Sequence, residues 1–240
     1  MNYGFNVILG QLFMLLVIGV FVLIYLKTRP KKKPEEAEEP PAPEQAPEEE
    51  YWEGNWSYIG GKYREIKLAK YRAVYCYDYY PKNRYGAKLS KQDYAHQQEI
   101  LSFKSGEYYR AAELVSDFIV GHLWKSSLKG WMLCVIPAST QAATEKRFKV
   151  FCEEVAKNTG IIDGYSLIRR KEDQRSSRMF GKQEDTLEGI DINASAFLGK
   201  SVLLVDDITT RGRSFRQLAD NLVSAGANRV VGFFMGKSVY

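Results

Sequence analysis

Histidine and cysteine are scarce in this chain, two and three among 240 residues. The cysteines, Cys76, Cys134 and Cys152, are odd in number and include no Cys-x-x-Cys pair. They form neither a zinc pattern nor a disulfide framework, and free thiols of this kind fit a reducing compartment. Cys134 sits inside an apolar run and reads as core. His96 and His122 lack metal-ligand spacing and read as surface or packing residues. No internal repeat is visible. Residues 30–50 hold almost no large apolar side chain, only Pro, Glu, Ala, three lysines and Gln45. Such a stretch cannot bury enough surface to fold, so it reads as an extended, solvated tether.

One long hydrophobic run precedes the tether. Phe5 to Leu26 carries no charge, and as a helix its 22 residues span roughly 33 Å, enough to cross a bilayer. No basic residues precede the run and no small-residue cleavage site follows it, so it does not read as a cleaved signal peptide. Lys27, Arg29, Lys31, Lys32 and Lys33 come after it instead. By the positive-inside rule that end stays in the cytoplasm. The expectation is a single-pass membrane protein with its soluble part facing the cytosol.

Charge is unevenly spread. Residues 1–50 carry five basic and eight acidic side chains, so the other 190, with 29 basic and 21 acidic, hold a net +8. A basic domain suits a phosphorylated substrate and equally a nucleic acid. From Tyr51 aromatics crowd a short span, among them Trp52, Trp56, Tyr58, Tyr63, Tyr71, Tyr75, Tyr77 and Tyr85. The alternation over Tyr71–Tyr77 predicts a strand. The aromatics either pack a small sheet onto the main domain or, interleaved with Lys and Arg, stack on bases.

The most informative stretch is Ser201 to Ser214. Val202–Val205 reads as a strand buried on both faces. It stops at two carboxylates, Asp206 and Asp207. Thr209, Thr210, Arg211, Gly212, Arg213 and Ser214 follow as an anion loop, and Phe215, Leu218, Leu222 and Val223 continue at helical spacing. A strand, a short loop and a helix start gather backbone N–H groups around one point, where the helix dipole favours an anion. Gly212 allows a left-handed turn and close approach. Asp206 and Asp207 would repel a phosphate, so they suit sugar hydroxyls or Mg²⁺ instead. Phosphate on one side and vicinal hydroxyls on the other describe a ribose 5-phosphate.

Val-Asp-Asp-Ile-Thr-Thr-Arg-Gly-Arg-Ser resembles the phosphoribosyl pyrophosphate (PRPP) signature of type I phosphoribosyltransferases. The resemblance implies that Asp206 and Asp207 bind the ribose hydroxyls, help hold Mg²⁺, and that residues 209–214 hold the 5-phosphate. Arg211 departs from the Thr or Ser usual before the glycine. Thr210 stands where purine-salvage members carry Asp, which argues against a hypoxanthine- or guanine-type enzyme.

The rest of the domain agrees in order and type. Glu99 to Lys125 has helical spacing, and its start, Ile100-Leu101-Ser102-Phe103-Lys104-Ser105-Gly106, resembles the entry to the phosphoribosyltransferase part of competence-type (ComF-like) proteins. Those often carry an N-terminal zinc finger, for which this chain has no cysteines. Trp131–Ile136 reads as a second buried strand, closed by Pro137-Ala138-Ser139-Thr140. The corresponding family loop binds pyrophosphate, which implicates Ala138, Ser139 and Thr140. Ala143–Asn158 reads as a helix, and Lys146-Arg147-Phe148 in it partly matches the ComF-like Arg-Gly-Phe. Tyr165–Ile168 reads as a third strand. The polar stretch Arg169–Gly189 sits where the family has a flexible hood, whose closure excludes water. Lys171, Arg175 and Arg178 are the catalytic cations that the resemblance suggests for the leaving pyrophosphate. A last buried strand is expected over Arg229–Met235, after a helix ended by Gly226.

The expected architecture is α/β, a mostly parallel sheet with helices on both faces, type I phosphoribosyltransferase-like. The ComF-like resemblance covers roughly Glu99 to Val239. The organisation read from the sequence is a transmembrane helix at 5–26, a disordered linker at 27–50, an added aromatic-rich segment at 51–98 and a phosphoribosyltransferase-like domain at 99–240. Three functions stay open. One is transfer of phosphoribosyl from PRPP to a nitrogen nucleophile with release of pyrophosphate. Another is a PRPP- or nucleotide-binding regulator without turnover. The third is a membrane-tethered nucleic-acid protein of DNA uptake or defence. Pairing into a homodimer is equally open.

Overall fold

A computed structural model describes residues 62–81, 89–123, 128–171 and 189–239. The expected transmembrane helix at 5–26, the linker at 27–50 and the aromatics at positions 52, 56, 58 and 85 lie outside the described residues. The order of elements is β1 (Arg64–Leu68), β2 (Tyr71–Tyr79), α1 (Lys91–Ser105), α2 (Tyr109–Phe118), β3 (Trp131–Val135), α3 (Gln141–Thr159) and β4 (Ile162–Asp163). Then come β5 (Ile168–Arg170), β6 (Ile190–Ile192), β7 (Ser201–Thr209), α4 (Arg213–Ser224) and β8 (Arg229–Ser238).

Six strands form one mixed sheet in the order β1-β2-β8-β7-β3-β4. Every pairing is parallel except β1 with β2. Val205 sits opposite Val135 on one side and Phe233 on the other. The strands read as continuous apolar runs because both faces are covered. Leu133, Val135, Leu203, Val205, Val231 and Phe233 join Phe103, Phe118, Phe148 and Phe151 of α1–α3 on one face. Met132, Cys134, Val202, Leu204, Val230 and Phe234 join Phe215, Leu218 and Leu222 of α4 on the other. The molecule is therefore α/β, with a mostly parallel sheet between helices.

The connections explain where a ligand can enter. From β3 the chain crosses through α3 to β4, at the sheet edge. From β7 it crosses through α4, on the opposite face, to β8 on the other side. The two crossovers leave neighbouring strands in opposite directions, which opens a crevice at the carboxyl ends of β3 and β7.

Four local results differ from the sequence pattern. The helical stretch expected over 99–125 is two helices, because Gly106 takes φ 106° and caps α1. The strand expected at Tyr165–Ile168 is a 3₁₀ turn leading into β5. Asp163 Oδ1 accepts the Tyr165 N–H at 2.8 Å and ends the short edge strand β4 there. The central strand does not stop at the acidic pair; β7 runs to Thr209, as Ile208 and Thr209 still pair with Gly236 and Lys237 of β8. Finally, β2 lies inside the main sheet, between β1 and β8. Its Tyr71, Tyr75 and Tyr77 are core residues, and Tyr63 beside them donates its hydroxyl to Leu114 O at 2.7 Å.

Candidate functional site

The acidic pair lies at the carboxyl end of β7, beside the crevice. In a strand, successive side chains point to opposite faces. Asp206 follows Leu204 toward α4 and lines a pocket. Asp207 follows Val205 toward α3, where Arg147 Nη1 stands 2.8 Å from Asp207 Oδ2. Both partners are almost wholly enclosed, with side chains 12 % and 9 % exposed. Among the described residues no N–H is aligned on Oδ2, so the contact is an ion pair rather than a directed hydrogen bond, and Oδ2 keeps an unfilled acceptor site there. Within β7, Asp206 Oδ1 accepts the Asp207 N–H at 2.8 Å, and Asp207 Oδ1 accepts the Ile208 N–H at 2.7 Å.

The pocket beside Asp206 has a volume of about 310 Å³. Residues 209–214 form its polar wall, and Ile136, Phe215 and Phe234 contribute apolar floor. The wall is the start of α4, a 12-residue helix whose first N–H groups have no partner within the helix. Gly212 makes the turn with φ 67°. A Cβ there would also lie 2.7 Å from Leu68 Cδ1, so the β1–β2 hairpin backs the loop. Arg211 and Arg213 are exposed on the same wall. This is a concave site with backbone donors, hydroxyls and guanidinium groups on one side and one carboxylate on the other. It can take an anion joined to a hydroxyl-bearing group.

Burial first, and the adjacent Asp207 carboxylate second, push Asp206 well above the usual carboxylate range. Arg147 pulls in the opposite direction. A cation at Asp206 would relieve that penalty. Among the described residues no group of three His, Cys, Asp or Glu side chains stands ready to hold a metal. Mg²⁺ commonly needs only one or two carboxylates when substrate phosphates complete its shell. Asp206 fits that demand from the pocket wall, while Asp207 is turned to Arg147.

The other expected site residues are placed as follows. Ala138, Ser139 and Thr140 follow β3 at the same sheet end but do not line the pocket. The loop is bonded inward: Ala138 N–H donates to Thr144 Oγ1 at 2.9 Å, and Thr140 Oγ1 caps α3 through the Ala143 N–H at 3.1 Å. Arg170, 5 % exposed, donates from Nε to Ala138 O at 2.6 Å. Lys171 is exposed and pairs with Asp191 at 3.0 Å across the β5–β6 ribbon. That ribbon is the stem of the expected hood; Arg175 and Arg178 lie outside the described residues.

Arg147, Arg170 and Leu68 were not singled out by residue chemistry. Arg147 had one signal, its place in the Lys146-Arg147-Phe148 stretch. Leu68 had none, because only the fold brings a hairpin to Gly212. The cysteines offer no nucleophile, since all three are buried and burial pushes their thiols up. His96 stacks on Tyr77 with ring centroids 4.2 Å apart, a packing role. No protein-family model matches the chain, and no curated protein sequence is significantly similar to it.

Proposed function

We propose that the pocket binds a ribose 5-phosphate unit, as in PRPP, and that the protein is a membrane-anchored phosphoribosyltransferase of the type I class. The observation that carries this reading is the pocket at the carboxyl end of β7, walled by residues 209–214 and faced by Asp206. The N–H groups opening α4, with the hydroxyls of Thr209, Thr210 and Ser214, take the 5-phosphate. Arg211 and Arg213 add charge from the rim. Asp206 accepts a ribose hydroxyl, a hydrogen bond that a neutral sugar can make and a second phosphate cannot. In the reaction the bond from ribose C1 to the pyrophosphate oxygen breaks, and a nitrogen nucleophile bonds to C1. The transition state is a sugar cation, so the chain's part is to position, to balance charge and to exclude water. Mg²⁺, when bound, neutralises the pyrophosphate as it leaves. Cations of the hood, Lys171, Arg175 and Arg178, are the chain's own candidates for the same work.

Titration calorimetry of the full chain in detergent with PRPP and Mg²⁺ tests this. Wild type should bind, and an Asp206→Asn/Asp207→Asn variant should lose at least about tenfold in affinity, the loss of the charge-assisted hydrogen bond at Asp206. Equal binding by both removes the ribose assignment.

A second reading is a PRPP- or nucleotide-binding regulator without turnover. Two observations favour it: Asp207 is already engaged by Arg147, and the loop at 138–140 is bonded within the protein. Pyrophosphate release from PRPP across a panel of nitrogen acceptors separates the two. Release assigns the enzyme; tight binding without release assigns the regulator.

A further inference from the structure

We propose that Arg147 is a positioning residue: it pins and neutralises the Asp207 carboxylate, which the strand already turns toward α3, so that Asp206 carries the one uncompensated carboxylate beside the pocket. Its purpose rests on the ribose 5-phosphate reading above; its existence rests on geometry. The Arg147 guanidinium is held at two points. Its Nε donates to Lys104 O at 3.2 Å, at the carboxyl end of α1, and its Nη1 reaches Asp207 Oδ2 at 2.8 Å. The last carbonyls of a helix lack partners within it and favour a cation.

The approach of α3 to α1 depends on Gly106. A Cβ at that position would stand 2.9 Å from Lys146 O, and the φ of 106° already disfavours a side chain. Three stretches far apart in sequence therefore meet at one point: the turn after α1, the second turn of α3 and the acidic pair of β7. They are also the stretches that carry the phosphoribosyltransferase resemblance.

The consequence for the pocket is direct. Two uncompensated carboxylates beside a phosphate site would repel the ligand. The strand places one of them on the far face of the sheet, and Arg147 cancels its charge there. Lysine replaces this contact only in part, since an ammonium keeps a charge for the Asp207 carboxylate but lacks the guanidinium Nε–H that donates to Lys104 O.

The test uses the full chain in detergent, as Arg147→Gln, Arg147→Lys, Asp207→Asn and the Arg147→Gln/Asp207→Asn pair. The probe is ribose 5-phosphate, read by calorimetry, with thermal unfolding measured beside it. Arg147→Gln should weaken binding about tenfold, the cost of one misplaced charge-assisted contact. Arg147→Lys should restore part of it. In the Asp207→Asn background Arg147→Gln should change nothing further, because Arg147 acts through Asp207. Wild-type affinity in Arg147→Gln, or the same loss in both backgrounds, overturns the proposal. If wild type itself binds neither ribose 5-phosphate nor PRPP, the proposed function falls and the unfolding data alone decide. Arg147→Gln should then lower Tm by roughly 5 °C in wild type and by clearly less with Asp207→Asn, where only the bond to Lys104 O is lost. Equal drops in both backgrounds would overturn the pairing itself.

Discussion

At position 206 a carboxylate sits where its charge is costly, and that has a measurable signature. A group whose pKa is raised by folding binds protons more readily in the native than in the unfolded chain. Stability then falls as pH rises from the ordinary aspartate value through the raised native one. Above that window the full penalty is present; below it there is none. Asp206→Asn removes the penalty. It should raise Tm by roughly a few degrees at pH 7.5 and by nothing near pH 3.5. A lower Tm at pH 7.5 would mean that the carboxylate is stabilised, not strained. A second residue-scale test concerns the β1–β2 turn. Leu68 pairs with Tyr71, so Ala69 and Lys70 form a two-residue hairpin loop, and Ala69 has φ 58°. Glycine is preferred at such a first position. Ala69→Gly should stabilise by about 0.5 kcal/mol, since relief of the left-handed strain exceeds glycine's extra chain entropy. Denaturant unfolding at unchanged m-value checks it.

Among the elements, the loop before α4 is the one whose shape depends on its neighbours. Gly212→Ala meets two obstacles, the positive φ and the Leu68 side chain. It should cost about 1–3 kcal/mol and lose ribose 5-phosphate binding. Adding Leu68→Ala should recover part of the stability but not the binding, because only the steric contact is relieved. Full recovery of binding would show that φ at 212 is irrelevant to the site. The strands around this loop were legible from sequence wherever apolar residues ran unbroken, as over Val202–Val205 and Trp131–Val135. Boundaries were less so. The helix expected over 99–125 breaks at Gly106, since helical periodicity continues through a left-handed cap without showing it. The strand expected at Tyr165–Ile168 yields to an Asx turn, a side-chain to backbone contact that an apolar pattern does not reveal.

For the molecule as a whole, β2 changes where the domain begins. Its Ala73 and Val74 are fully buried, and it separates β1 from β8. A chain starting at residue 99 lacks an interior strand and should not give a cooperative unfolding transition. A chain starting near residue 62 should. Circular dichroism on both decides, and a cooperative melt from the shorter one would show that β2 is dispensable. Tyrosine-rich alternation over 71–77 predicted a strand, but composition could not say which sheet it joins, because that pairing partner, β8, lies more than 150 residues away. The site was legible in the same partial way. Residues 206–214 stand out because adjacent carboxylates and a Thr/Gly/Ser turn serve few structural ends, and Asp206 with residues 209–214 lines one pocket. Arg147 and Leu68 act through tertiary contact; no local pattern marks Leu68, and Arg147 shows only as part of the Lys146-Arg147-Phe148 stretch. Amide chemical shifts of the full chain during titration with ribose 5-phosphate, against unphosphorylated ribose, test the central claim most directly. The account predicts saturable shifts at residues 209–214 with the phosphorylated sugar and none with ribose; unmoved amides there, or shifts confined to another face, would contradict it.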